Sequence, residues 1–379
     1  MYLDYNATTP LDPAVREAVL TGLDLAWGNP SSIHHVGRHA RALLDDARDR
    51  IAVVLGCKPS ELVFTSGGTE ANNLAIFGTV RPLARTRPPH LICSPTEHPA
   101  VLHTFHHLAR QEACSLTLLP VDAAGRVDPA SVAAALRPDT ALVSVMTANN
   151  ETGVLQPVSE IGRLCRQHGI PFHTDAVQSF GKLPWHGLEA LEADLVTLCA
   201  HKLHGPRGAG LLYCRSPRSL EPQLLGGAHE YERRAGTENL PAILGMAEAI
   251  ERFVPDPVFN PSRLGPLSSR LAAALRPLPG VTLHTPPGAA LANTLAFTVE
   301  GTDSLALLAA MDLVGICASS GSACSVGSLE PSHVLLAMGV PRPRAAALVR
   351  FSLGRDTTAT DIDSVAAVLP SILAQATAQ

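Results

Sequence analysis

The 379-residue chain lacks several features that would each mark a distinct class of protein. No apolar run approaches the roughly 18 to 20 residues that a membrane-spanning helix needs. There is no basic excess: 29 Lys and Arg stand against 34 Asp and Glu, a formal net charge of −5. No overall field therefore exists to draw in nucleic acid or an anionic membrane. The eight cysteines, at 57, 93, 114, 165, 199, 214, 317 and 324, include no close CxxC pair. That spacing offers neither a zinc knuckle nor a disulfide framework. The opening residues, Met1 to Asn6, carry neither the charged nor the apolar segment of a secretion signal. Internal repeats and low-complexity tracts are absent as well. These absences lead to the expectation of a soluble, cytoplasmic protein with a small neutral or zwitterionic ligand.

The residues that are present describe a globular protein, with 46% hydrophobic and 17% charged residues. Between residues 50 and 215, short β-rich runs alternate with helical patterns: Glu61–Thr65, His90–Cys93, Leu116–Val121, Ala141–Met146, Pro171–Thr174, Leu195–Leu198 and Gly210–Cys214. That rhythm predicts βα units and a largely parallel sheet. Several runs are apolar at consecutive positions, as strands covered on both faces should be. The segment Phe253–Ser262 holds three prolines in ten residues, which places a boundary near residue 256. A smaller α+β unit follows, with helices over about 263–276 and 304–311 and strands near Thr294–Val299 and Val349–Leu353.

Three motifs sit where an open α/β sheet places ligands, at strand ends. In Phe64–Ile76 a glycine pair flanked by hydroxyls joins a strand to a helix. It either cradles a phosphate on Gly68, Thr69 and the helix N-terminus or is a plain strand-to-helix turn with a threonine cap. Asp175 and Gln178 end another apolar strand. The carboxylate there is a base, a metal ligand, the partner of a protonated pyridine nitrogen, or a strand-end cap. Lys202 follows a third strand, beside His201 and His204 and before a glycine-rich turn. It is either a Schiff-base lysine with a lowered pKa or a lysine that snorkels to solvent. Together, a phosphate loop, a strand-end acid and a strand-end amine are what pyridoxal phosphate requires. His103 and His107 have the i, i+4 spacing of a metal pair but no clear third ligand, so no metal site is expected.

The segments Tyr5–Pro10, Thr65–Glu70, Thr96–Val101, Asn149–Gly153, Asp175–Gln178, His201–Pro206, Arg234–Asn239, Ser319–Cys324 and Arg350–Gly354 run in order along the chain. They resemble the cysteine desulfurases of the class V pyridoxal-phosphate aminotransferase superfamily. Residues 319–338 are similar to the branch that supplies sulfur for iron-sulfur clusters and nitrogenase. The resemblance implies the type I aminotransferase-like α/β fold. A large, mostly parallel seven-stranded sheet domain (residues 11–256) would join a small α+β domain (1–10 and 257–379) carrying a catalytic cysteine loop.

By the same resemblance, Lys202 forms the Schiff base, Asp175 pairs with the pyridine nitrogen, and Gln178 donates to the phenolic oxygen. His98 stacks on the ring and shuttles protons. Gly68, Thr69 and His201 bind phosphate, Asn150 lies near cofactor and substrate, and Arg350 holds the substrate carboxylate. Thr237 reaches the neighbouring subunit's cofactor phosphate, which implies a homodimer. Cys324, in a small polar stretch expected to be exposed and mobile, takes sulfur from L-cysteine as a persulfide for an acceptor such as an iron-sulfur scaffold. One departure stands out: Cys199 occupies a position where the family usually has serine. Other readings of this scaffold are a selenocysteine lyase, an aminotransferase, or a non-catalytic sulfur-relay subunit.

Overall fold

The apolar runs meet as strands in two sheets. The computed structural model describes residues 1–85, 87–111, 114–321 and 330–377. The larger sheet contains β1 (Leu62–Thr65), β2 (His90–Cys93), β3 (Ser115–Leu118), β4 (Thr140–Ser144), β5 (Phe172–Asp175), β6 (Leu195–Cys199) and β7 (Gly210–Cys214). Their spatial order is β1-β7-β6-β5-β4-β2-β3. Only β7 runs against its neighbours, pairing antiparallel with both β1 and β6, so the other six strands end at one edge. Gly210 is required at the start of β7 because a Cβ there would lie 2.5 Å from the Gly67 backbone.

Burial on both faces explains the unbroken apolar runs. Val143, Val196 and Leu211 pack with the helices His35–Leu55 and Leu240–Phe253. Their chain neighbours Leu142, Leu195 and Leu212 point the other way, toward the helices Gly68–Ala84 and Pro99–Gln111. The third strand is shorter than the sequence suggests, ending at Leu118 rather than Val121. Pro120 lacks the N–H that a ladder needs, and Val121 makes only an isolated bridge to Val127.

The proline-rich stretch does separate two helices. One ends at Phe253, and the next (Pro261–Leu275) starts with proline in its first turn and the Asn260 side chain accepting from the Ser262 N–H at 2.9 Å. A small antiparallel sheet follows, β8 (Val281–Leu283), β9 (Thr294–Val299) and β10 (Leu348–Ser352), in order β10-β9-β8. Phe297, Val299, Val349 and Phe351 form its core with residues of the flanking helices. The three-residue β8 lies between Gly280 and a Pro-rich segment and is too short for a periodicity to register. The N-terminus contributes Leu3 and Tyr5 to this second core. It bridges to Cys317 and Ser352, then crosses to the large sheet, where the Thr9 N–H donates to the His201 carbonyl at 3.1 Å. Residues 6–8 therefore lie over the strand ends. Among the described residues no helix is long and apolar enough to cross a membrane.

Candidate active site

Five segments that leave the strand edge converge under residues 6–7. The cleft has a volume of about 210 Å³, and its walls include Gly68, Thr69, His98, Asn150, Asp175, Gln178, His201, Lys202 and Arg350. Nearly every site residue expected from sequence is thus brought into one place. Thr237 is not among them; it lies exposed on the loop before the helix Leu240–Phe253. Cys324 and its expected mobile loop lie outside the described residues.

Lys202 follows β6 and is half-buried, and its Nζ donates to the backbone carbonyls of Asn6 and of Ala7, the latter at 2.8 Å. Burial lowers its pKa, and Arg350 adds to this against the opposing charges of Cys199, Asp4 and Asp175. An amine whose surroundings favour its neutral form is a nucleophile for a carbonyl. Asp175, at the end of β5, is 5% exposed. One carboxylate oxygen accepts from the Val177 N–H at 2.9 Å and the other from Asn72 Nδ2 at 2.7 Å. Asn72 sits one turn beyond Thr69 in the helix Gly68–Ala84, so a single helix supplies both the phosphate-facing N-terminus and the amide that orients the acid.

Burial favours the neutral form of the cleft histidines. Burial lowers the pKa of His98, and its Nδ1 accepts from the Ala100 N–H at 3.1 Å. The ring's single proton therefore resides on Nε2. The His201 pKa is pushed down to about 4 by burial and then by Lys202 and Arg207. Glu97, wholly buried beside His98, has a carboxyl pushed up to about 8 by burial and further by Asp175, against the Met146 N–H that it accepts. Cys199 also lines the cleft, and burial pushes its thiol up to about 12, so it remains protonated.

Arg350, on β10, is 2% exposed. It donates to the Asn150 and Gly321 carbonyls and to Asp4 Oδ1, each at 2.7 Å. Its Nε and the Oδ1 of Asn72 have no partner among the described residues. Unsatisfied buried polar atoms around a cleft mark a place for a polar guest. A helix N-terminus for a phosphate, a poised amine for an aldehyde and an oriented carboxylate for a basic ring nitrogen fit pyridoxal 5'-phosphate.

Sequence reasoning missed Asn6 and Asn72 as site residues. Asn6 is 1% exposed and is a hub. Its carbonyl accepts from Lys202 and, at 3.0 Å, from Gln178 Nε2; its side chain joins Lys182, Asn293 and Thr294. The only available signal was its place in the Tyr5–Pro10 motif.

The aminotransferase class-V family model matches residues 1–365. The chain is 42% identical to the cysteine desulfurase IscS of Dictyoglomus turgidum over 374 residues, which is 98% of this chain and 94% of that protein. Among solved structures, a NifS-like protein superposes with a TM-score of 0.91 at 35% identity, covering 99% of both chains. SspA in complex with cysteine superposes with a TM-score of 0.83 at 34% identity, over 94% of this chain and 99% of that one. The chain therefore belongs to the aminotransferase class-V family, whose cofactor is pyridoxal 5'-phosphate.

Proposed function

We infer that the chain is a pyridoxal-phosphate-dependent cysteine desulfurase, which converts L-cysteine to L-alanine and keeps the sulfur as an enzyme-bound persulfide. The observation that carries this reading is the convergence of Lys202, Asp175 and Arg350 in one cleft, in a chain so similar to cysteine desulfurases along its length.

When bound, the cofactor supplies an aldehyde for amines and an electron sink for the substrate's Cα and Cβ. The rest falls to side chains of this chain. Lys202 would hold the cofactor, and its amine, when free, would be a base for the α-proton. Asp175, locked by Asn72 and the Val177 N–H, keeps a proton on the ring nitrogen. Gly68, Thr69 and His201 hold the phosphate, and Gln178 donates to the phenolic oxygen. His98 would face the cofactor, and in its neutral form carries one proton on Nε2. Arg350 pairs with the substrate carboxylate, helped by Asn150; its geometry is fixed in advance by Asp4. Cys324 Sγ attacks the substrate sulfur, an S–S bond forms as the C–S bond breaks, and Cβ takes up a proton, so alanine departs.

We also assign a homodimer, in which Thr237 of one subunit meets the cofactor phosphate of the other. Its exposure on a loop away from its own cleft supports this. Light scattering should give a dimer, and Thr237→Ala should weaken cofactor binding without changing the monomer's fold; a monomer that binds cofactor fully would contradict it. The separate apolar cores support a large cofactor domain over 11–256 and a small domain built from 1–10 and 257–379. Free thiols throughout the described residues suit a cytoplasmic protein, and the persulfide would pass to an acceptor such as an iron-sulfur scaffold.

Cys199→Ser should tighten cofactor binding by about 1.5 kcal/mol, roughly tenfold in Kd, because a hydroxyl donates to an anionic oxygen better than a protonated thiol does. Titration of the two cofactor-free proteins reads this directly, and equal constants would show that the thiol makes no limiting contact. The desulfurase reading is tested by adding L-cysteine to the purified holoenzyme. With a dithiol reductant present to cleave the persulfide, alanine and sulfide should form together in equal amounts without any keto-acid acceptor. Alanine that appears only when a keto acid is supplied would indicate an aminotransferase instead.

A further inference from the structure

The chain has three lysines, at 58, 182 and 202, and two of them converge on Asn6. Lys202 donates to the backbone carbonyl of that residue, whereas Lys182 donates to its side-chain Oδ1 at 2.5 Å. Lys182 also donates to Gln178 Oε1 at 2.7 Å and lies 5.1 Å from the centroid of the Phe259 ring. It is 2% exposed, and no carboxylate among the described residues pairs with it. A buried amine whose partners are two neutral amides and a ring face is costly, and an apolar side chain would fill the volume at less cost. Burial, with the charges of Lys202 and Arg350, pushes its pKa well down against the opposing Cys199. Deprotonated or not, the amine has hydrogens enough for both amide oxygens.

That donor fixes which way the Gln178 amide faces. With Oε1 taken by Lys182, Nε2 points the other way, where it donates to the Asn6 carbonyl at 3.0 Å beside Lys202. Were the amide flipped, the Asn6 carbonyl would meet the Gln178 oxygen, which is repulsive, and Lys182 would lose the acceptor it now uses. We propose that Lys182 is a positioning residue that acts through Gln178, holding its amide nitrogen toward the cofactor's phenolic oxygen. This rests on the reading of Gln178 as the amide that meets the cofactor.

An N–H donor beside the phenolic oxygen stabilises negative charge there, so the proton on the nearby lysine–cofactor nitrogen is held less tightly. Losing the donor should raise the pH midpoint at which the visible absorption band of the holoenzyme changes. The groups facing Lys202 (Cys199, Arg350, Asp4 and Asp175) and Lys182 (Lys202, Arg350 and Cys199) stay the same in every variant compared. In spectral titrations, Lys182→Met should raise the midpoint by about one pH unit, tenfold in proton affinity. Gln178→Ala should raise it by a similar amount, and the double variant should match Gln178→Ala alone. Lys182→Arg should restore most of the wild-type midpoint, and Lys182→Leu replaces the methionine variant if that fails to fold. Equal midpoints for wild type and Lys182→Met, or a double variant showing the full sum of both shifts, would overturn the proposal. A wild-type protein with no visible band would instead overturn the cofactor reading itself.

Discussion

Lys202→Ala is expected to lose covalent attachment of the cofactor and to slow turnover by at least about a thousandfold. The amine serves both as anchor and as base, and a well-placed base alone is typically worth roughly 10²- to 10⁴-fold. Among the described residues its Nζ is held by the backbone carbonyls of Asn6 and Ala7, and burial lowers its pKa. No other side chain can take over: Lys58 lies far along the chain, before β1, and Lys182 is tied to Asn6 and Gln178. Borohydride reduction followed by peptide mapping needs to distinguish only three lysines. The adduct should sit on Lys202 in the wild type and vanish in the variant. A reduced adduct on Lys182 would show that the roles of the two amines are reversed.

The second large effect concerns Cys324. Cys324→Ala should bind cofactor normally and show the same spectral change with L-cysteine, since those steps use Lys202, Asp175 and Arg350. Alanine and sulfide formation should nonetheless fall by at least about a hundredfold, roughly 2.7 kcal/mol in barrier. The other thiols are poor substitutes. Burial pushes Cys57, Cys165 and Cys199 up to about 12 and Cys214 to about 11, so almost none of each is thiolate at neutral pH. Burial raises Cys93 well above the usual thiol range, and Cys114 is buried. Cys317 is exposed and is the natural control, and Cys317→Ala should retain wild-type turnover. Undiminished sulfide release by Cys324→Ala would move the nucleophile elsewhere.

What the sequence made legible follows from where physics leaves a local mark. Leu142-Val143, Leu195-Val196 and Leu211-Leu212 are consecutive apolar pairs because both faces of the sheet are covered. That pattern located the strands, and the polar residues just after them, Asp175 and Lys202, located the site. Asn72, Asn6 and Lys182 left no such mark. Asn72 meets Asp175 across 103 positions of sequence and Lys182 meets Asn6 across 176, and nothing in the local pattern of either segment encodes a partner so distant. The cysteine run held more information than periodicity alone. Cys165 and Cys214 pack in the core and Cys199 is buried against the cleft, whereas the small polar stretch around Cys324 is where the sequence points to a reactive thiol.

The central claim is that sulfur leaves L-cysteine and stops first on one residue of this chain. Holoenzyme mixed with one equivalent of sulfur-labelled L-cysteine, quenched with an alkylating agent and mapped by mass spectrometry, tests it directly. One labelled sulfur should appear on the Cys324 peptide, with one alanine released for each persulfide formed. Alanine without any labelled peptide, or labelled sulfur on Cys317 with Cys324 unmodified, would contradict it.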